Sequence, residues 1–336
     1  MQSQWHHFLT TQDITDTLEL AEPELARVDL AELGVVAVSG ADAPRFLQAQ
    51  VSNDLRELTA THSQLNSHCS PKGRMLANFR SLITANDEFL LIAPRSQIEL
   101  LLQRLRMFVL RAQVQIEDRS DDYACFGILG DQAAALGEYF TTVPQQTDDL
   151  SRHDNGSHII RVAGTLPRWL FVGQPEWAQT LWTALAGSPV GADTWHLHDI
   201  RAGIPTIYPE TRDLFVPQMA NMQLIDGMSF HKGCYTGQEV VARMQYLGKL
   251  KRRMYYAHTT ATPPPTPGAP LFAPHSRADK AAGQVVEAQR NAAGETELLA
   301  VVEIAAAEQG TVSLEENGAP LAFQAPSYGF ASAQAA

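Results

Sequence analysis

The run Lys232-Gly233-Cys234-Tyr235-Thr236-Gly237-Gln238-Glu239 places one cysteine on a glycine-flanked turn before a helix start. Thr236 followed three residues later by Glu239 is a capping-box pattern, in which each side chain satisfies a backbone N–H of the first helical turn. Val240, Val241, Met244 and Leu247 then carry helical apolar spacing, and Gly248 is a natural stop. Cys234 is therefore expected just outside the positive end of a helix dipole, with Lys232 beside it. Both features favour thiolate over thiol. The competing reading is a small residue filling a crowded turn. A Cys–His hydrolase would need a partner, and His231 is the only histidine close by in sequence.

Other residues could join this chemistry. From His231 to Arg253 the cations Lys232, Arg243, Lys249, Lys251, Arg252 and Arg253 stand against Glu239 alone. Such a basic island reads either as a trap for a small polyanion or as solvated, edge-protecting charge. Cys69 precedes the turn Ser70-Pro71-Lys72-Gly73 and could share a site with Cys234, whereas Cys125 sits in an apolar strand and reads as core. His196-x-His198 resembles a metal pair without a third ligand, so packing histidines are the simpler reading. Trp195 offers either an aromatic plane for a ring-shaped ligand or a core side chain on a helix face.

The elements that must position these residues belong to a large, mixed chain. Its 336 residues imply two or three domains, and 45% hydrophobic with 18% charged residues is a globular composition. The net charge of −12 disfavours a general nucleic-acid-binding surface. Three cysteines without a CxxC pair argue against a disulfide scaffold and a four-cysteine metal site. With no signal-peptide pattern and no bilayer-length apolar stretch, a reduced, cytoplasmic protein is expected.

A first α+β unit runs through strands at 35–38, 64–69, 74–83, 88–92 and 114–117. Its helices begin at Asp42-Ala43-Pro44 and at a second capping box, Ser96 to Glu99. Asn86-Asp87 is a turn. A second unit, from about Asp121 to Pro189, alternates strands and helices, with a polar, Asp-rich loop after its first helix expected to be a mobile excursion. Residues 192–248 hold few strand-like runs and are expected to pack back on the first unit. After Pro263-Pro264-Pro265-Thr266-Pro267-Gly268 the chain reads as a small antiparallel β unit, and the tail after Pro326 as disordered.

Several of these segments together resemble the YgfZ-type folate-binding proteins, relatives of the glycine-cleavage T protein and of a mitochondrial iron–sulfur assembly factor. The resemblance rests on Lys232 to Arg243, Phe215-Val216-Pro217-Gln218, Asn221, Arg201-Ala202-Gly203-Ile204-Pro205 and His68 to Arg74. It implies an α+β, three-domain T-protein-like fold with ferredoxin-like units and a C-terminal antiparallel β-barrel. Residues 1–118 plus 190–248 would form the folate-binding domain, 119–189 the second, 249–325 the barrel and 326–336 a tail. It also implies tetrahydrofolate in a central cleft, and partners among iron–sulfur enzymes, including those that modify tRNA, or their assembly machinery. The acidic balance makes any effect on tRNA indirect, and the absence of a bilayer-length apolar stretch gives no membrane role.

By the same resemblance Cys234 is the functional thiol, flanked by Lys232, Tyr235, Gln238 and Glu239. Folate contacts fall to Trp195, Asp199, Arg201, Lys72 and Arg243, with no resident metal. Relatives often carry Glu where Arg201 stands, so an obligate donor replaces an acceptor there: either another acceptor such as Asp199 takes over, or the pterin sits differently, or folate affinity is poor. The stretch Arg74-Met75-Leu76-Ala77-Asn78 lacks the carboxylate the T protein uses, which argues against aminomethyl transfer. A folate-dependent one-carbon transferase and a folate-free scaffold are the rival readings.

Overall fold

The computed structural model describes residues 4–15, 22–84, 88–246, 248–274 and 281–330. Helix α1 (Gln4–Leu9) precedes β1 (Ala26–Asp29), β2 (Leu33–Ser39), α2 (Ala43–Gln48), β3 (Gln64–Cys69), β4 (Met75–Ile83) and β5 (Phe89–Pro94). Then come α3 (Arg95–Arg106), β6 (Gln115–Asp118), β7 (Ala124–Leu129), α4 (Ala133–Leu136), β8 (Leu150–Arg152) and β9 (His158–Arg161). β10 (Arg168–Gly173), α5 (Pro175–Ala184), β11 (Ser188–Val190), α6 (Ala192–Ala202) and α7 (Gln238–Tyr246) complete the α+β part. The C-terminal unit holds β12 (Arg252–Thr259), β13 (Pro270–Leu271), β14 (Gly283–Arg290), β15 (Thr296–Glu303) and α8 (Ile304–Glu308).

Two sheets face each other. One is antiparallel with order β3-β4-β5-β2-β6; the other has order β11-β1-β7-β10-β9-β8 and is antiparallel except for the β1–β11 pair. The central strands β2, β5, β7 and β10 are largely apolar on both faces, so the period-2 alternation sorts side chains between two cores. Val35 and Ala37 of β2 join Cys125 of β7 and Leu170 of β10 in the shared central core. Val36 and Val38 instead pack under α2 and α3 with Phe46, Leu47 and Leu101. Outside the second sheet, Trp5, Phe126, Phe171 and Trp182 form an aromatic core in which the two Phe rings stack at 4.7 Å. Residues 26–29 and α1 thus serve the second sheet, although their sequence position groups them with the first.

The C-terminal strands form an antiparallel sheet of order β12-β15-β14-β13, extended by isolated bridges such as Phe272 to Ser313 and Tyr256 to Gln324. α6 packs against β14, β15 and β1, so it joins this unit to the two facing sheets.

Three local expectations change. α3 starts at Arg95 after Pro94, and no side chain caps it, so Ser96–Glu99 is not a capping box. The Asp-rich loop is anchored: Asp148 is buried, its carboxylate pairs with buried Arg80 of β4, and its carbonyl accepts from the Ser63 N–H and hydroxyl. Its partners lie far away in sequence, which hid the anchor. Tail residues 326–330 are structured, with Tyr328 donating to the Gly203 carbonyl at 3.2 Å and Phe330 meeting Tyr255 edge-on. The tail beyond residue 330, Leu247 and the Asn86-Asp87 turn lie outside the described residues.

Candidate functional site

The motif turn is held by Gln238 rather than by the expected pair. Gln238 is the first residue of α7; its side-chain oxygen accepts from the Tyr235 N–H at 3.3 Å and its amide donates to the Lys232 carbonyl. Thr236 and Glu239 make no capping box. Glu239 lies on the exposed helix surface and pairs with Arg243 one turn on, at 3.1 Å, an arrangement worth a few tenths of a kcal/mol. Gly237 is needed for two reasons: its φ is +84°, and a Cβ there would sit 2.4 Å from the Ser70 carbonyl. The Ser70–Gly73 turn therefore packs directly against the start of α7.

Within the motif the side chains part ways. Cys234 is exposed. Lys232 is 5% exposed, and its ammonium donates to the carbonyls of Val51 and Asn53, both at 2.6 Å, while lying 5.1 Å from the Tyr235 ring centre. Burial pulls its pKa down to about 8. Lys232 is thus an internal tie to the first sheet and not a surface cation beside the thiol. Tyr235 is buried too, its hydroxyl without a partner among the described residues, and burial raises its pKa.

Cys69 and Cys234 do not form one open site. Cys69 is fully buried at the end of β3, and burial pushes its thiol up to about 12. Cys125 is core, as expected. Lys72 is exposed on the turn, and Ser70 and Arg74 fasten that turn to residues 213 and 214. The basic island is also divided. Arg252 binds Glu303 and the Ala281 carbonyl, Arg253 stacks 4.4 Å over Phe330, and Lys249 and Lys251 are exposed on the same groove rim as Arg252.

A cavity of about 370 Å³ opens between the facing sheets and α6, within the ~300–1,000 Å³ range of small-molecule sites. Trp195 and Asp199 line it. Arg168 of β10 is fully buried, stacks 4.6 Å from the Trp195 ring and bonds Asp199 at 2.6 Å. Gly127 allows this packing, because a Cβ there would touch the indole at 2.5 Å. Trp195 is therefore both packed core and cavity wall. The other Asp199 oxygen and the second oxygen of Glu32 accept no hydrogen bond among the described residues. Asn78 also lines the cavity, but its amide is committed to the Pro205 carbonyl and the Ile207 N–H.

Arg201 does not reach this cavity. Its guanidinium forks onto Glu22 and Glu297, with bonds of 2.6–2.9 Å, and those carboxylates raise its pKa. One helical turn or so earlier, His196 makes a parallel bridge. Its Nε2 is 2.6 Å from Glu32 and its Nδ1 2.7 Å from Glu287, which also accepts from Tyr208 at 2.6 Å. Burial alone would lower the His196 pKa, but the Glu287 and Glu32 carboxylates hold it well above its ordinary value. Buried His198 is instead pushed down to about 4. The two histidines thus serve packing and charge pairing, and no metal-ligand cluster of three occurs among the described residues.

None of Lys72, Lys232, Cys234, Tyr235, Gln238, Glu239 and Arg243 lines the Trp195 cavity. The motif residues and the cavity lining are thus separate sets of side chains. The motif residues farther upstream do architectural work. Gln218 donates to the Val241 carbonyl at 2.7 Å, fixing α7, and Asn221 donates to the Met254 carbonyl at 2.9 Å, fixing β12. Sequence reasoning missed Arg168, Arg80, Glu32 and Tyr208. Only an arginine at the head of the apolar strand Arg168–Gly173 signalled the first.

No helix among the described residues is long and apolar enough to cross a membrane. A GCVT N-terminal domain model matches residues 10–163. The structure superposes on the glycine cleavage system aminomethyltransferase T from Bartonella henselae with a TM-score of 0.68 at 16% identity, over 90% of this chain and 84% of that one. That likeness concerns the fold. The tRNA-modifying protein YgfZ of Colwellia psychrerythraea is 34% identical over 69% of this chain and 71% of its own length. The corresponding Yersinia pestis protein is 36% identical over 74% and 75%. With this similarity and the T-protein-like fold, the chain belongs to the YgfZ family of tRNA-modifying proteins.

Proposed function

We propose that the chain binds a reduced folate in the Trp195 cavity and, through Cys234, serves the assembly or repair of iron–sulfur enzymes, including tRNA-modifying ones. The cavity carries this reading. It has an aromatic wall, and two carboxylates, Asp199 and Glu32, each keep one oxygen free to accept. A pterin edge rich in N–H groups needs such acceptors when taken out of water. Arg201, the residue that stood against a pterin site, lies outside the cavity in its own carboxylate clamp. When bound, a reduced folate supplies a one-carbon carrier; this chain supplies the pocket, the acceptors and the exclusion of water.

The second half of the proposal rests on Cys234, the one exposed thiol of the three. Its separation from the cavity favours an accessory role over direct one-carbon chemistry at the thiol. Asn78 stands at the cavity where β4 offers no carboxylate, which further disfavours aminomethyl transfer. An effect on tRNA would run through client enzymes, since a net charge of −12 repels a polyanion.

Calorimetric titration with tetrahydrofolate should saturate, and Trp195→Phe should weaken it roughly fivefold to tenfold. Absence of saturable binding would leave the folate-free scaffold. Cys234→Ala should fold and bind folate like the parent yet fail to restore iron–sulfur enzyme activity in a deletion strain. Full rescue would reduce the thiol to a packing atom. Methylene transfer from an aminomethyl donor to tetrahydrofolate would favour the transferase reading instead.

A further inference from the structure

A groove of about 1120 Å³ lies between the turn that carries Arg74, the segment 214–219 and the C-terminal sheet with α8. It is separate from the Trp195 cavity and shares none of its lining residues. Its walls include the partly exposed apolar side chains of Leu214, Met219, Leu250 and Ile304. Its rim holds Arg74, Lys249, Lys251 and Arg252 against Glu303 and Glu308. Arg252 and Glu303 neutralise one another at 3.1 Å. Arg74 donates only to backbone carbonyls, and Lys249 and Lys251 have no carboxylate partner among the described residues. Among the described residues, three cations without a carboxylate partner therefore meet one unpaired carboxylate, in a chain whose overall charge is −12.

We propose that this groove docks an acidic segment of a partner protein, punctuated by apolar side chains. The charge contrast is local and opposite to that of the molecule, which is what selective electrostatic docking of an acidic partner requires. The apolar walls favour a polypeptide over a nucleic-acid backbone, because alternate side chains of an extended peptide can enter them while its carboxylates meet the rim. Glu308, at one end, would repel a continuous phosphate chain. The segment's approach is also directed. The Ser70–Arg74 turn presents Arg74 to the groove and Gly73 to the start of α7, where Gly73 packs on Val240 and Gly237. Val240 and Tyr246 of α7 are exposed as well and remain available for further contact. The Lys251 carbonyl accepts from the Ile304 N–H at 3.0 Å, so the rim is fixed to the groove wall before any partner arrives.

The test uses the full chain and a fluorescein-labelled peptide of about ten residues alternating Glu with Leu, read by anisotropy. Saturable binding that weakens with salt is expected, with about a tenfold loss in the double variant Lys249→Glu, Lys251→Glu. Glu308→Lys should tighten binding about threefold, and it decides the matter if the double variant does not fold. Equal affinity for the parent and the folded double variant, no saturation, or no tightening by Glu308→Lys would overturn the proposal. So would a uridine oligonucleotide that binds more tightly than the peptide and is lost in the double variant, which would make the groove a nucleic-acid site. Tetrahydrofolate titrations of the same samples keep the two readings apart, because docking here is independent of the Trp195 cavity.

Discussion

Lys232 has the charge and position of a surface residue in the sequence, yet its ammonium ties the motif to the first sheet through two backbone carbonyls. Two acceptors and a facing aromatic ring compensate for the burial of a long charged side chain. Replacing it with Met keeps the stem and leaves the Val51 and Asn53 carbonyls unpaired, at a cost of about 2–3 kcal/mol. Urea unfolding of Lys232→Met checks this; an unchanged midpoint would show that the tie contributes nothing. The sign with pH also follows. The folded pKa, near 8, is below that of an unfolded lysine at about 10.5, so folding is penalised while both states hold the proton. That penalty should lift as pH rises from about 8 towards 10.5, and Lys232→Met should lack the rise.

At the scale of elements, α6 is a bracket with two clamps. His196 joins Glu32 to Glu287, and Arg201 joins Glu22 to Glu297; in each case one carboxylate comes from the N-terminal part and one from the C-terminal sheet. Glu287 sits at a β-bulge after Val285, a device that re-aims a strand side chain. The same helix lends Trp195 and Asp199 to the cavity, so the clamps hold its wall in place. Because the folded His196 pKa is raised above the unfolded value of about 6.5, its stabilisation is complete below that pH and fades as pH rises through the folded pKa. Glu287→Gln should cost about 2 kcal/mol at pH 6 and progressively less at higher pH. Melting curves of both proteins between pH 6 and 9 (a range of about three units around the ordinary imidazole value) report the gap; a constant gap would rule out the His196 linkage.

Across the whole molecule, long-range ties replace what a linear domain division suggests. β1 serves the second sheet, the 204–246 segment braces the first, and the tail returns to lock both to the C-terminal unit. The Tyr328 hydroxyl donates to the Gly203 carbonyl and accepts from Asn221 at 3.0 Å, beside the left-handed end of α6 where Gly203 has φ +70°. Tyr328→Ala should lower stability by about 1–2 kcal/mol and loosen α6, seen as faster amide exchange over residues 192–203. Exchange confined to the tail would show that it merely rests on the surface.

Elements with a single clear period were legible without coordinates. β3 runs from Gln64 to Cys69 as read, and β4 and β6 each begin one residue later than expected, because alternation and flanking turns are local properties. The motif turn and the exposure of Cys234 were also readable from the two glycines around it. Capping was less so: Pro94 and Gln238 displaced the Ser96 and Thr236 patterns, since a cap depends on backbone angles at one residue.

Composition, periodicity and the Lys232–Arg243 string by themselves determined the α+β class, the family resemblance and the choice of Cys234 as the candidate thiol. Only the tertiary structure decided which charges are spent. Lys232, Arg201 and Arg252 are consumed by carbonyls and carboxylates, whereas Lys249 and Lys251 have no carboxylate partner among the described residues. It also separated the Trp195 cavity from the cysteine. The reason is that charge pairing and enclosure are set by distance in space, and partners such as Arg80 and Asp148 or Arg201 and Glu22 meet only once the sheets and α6 have packed.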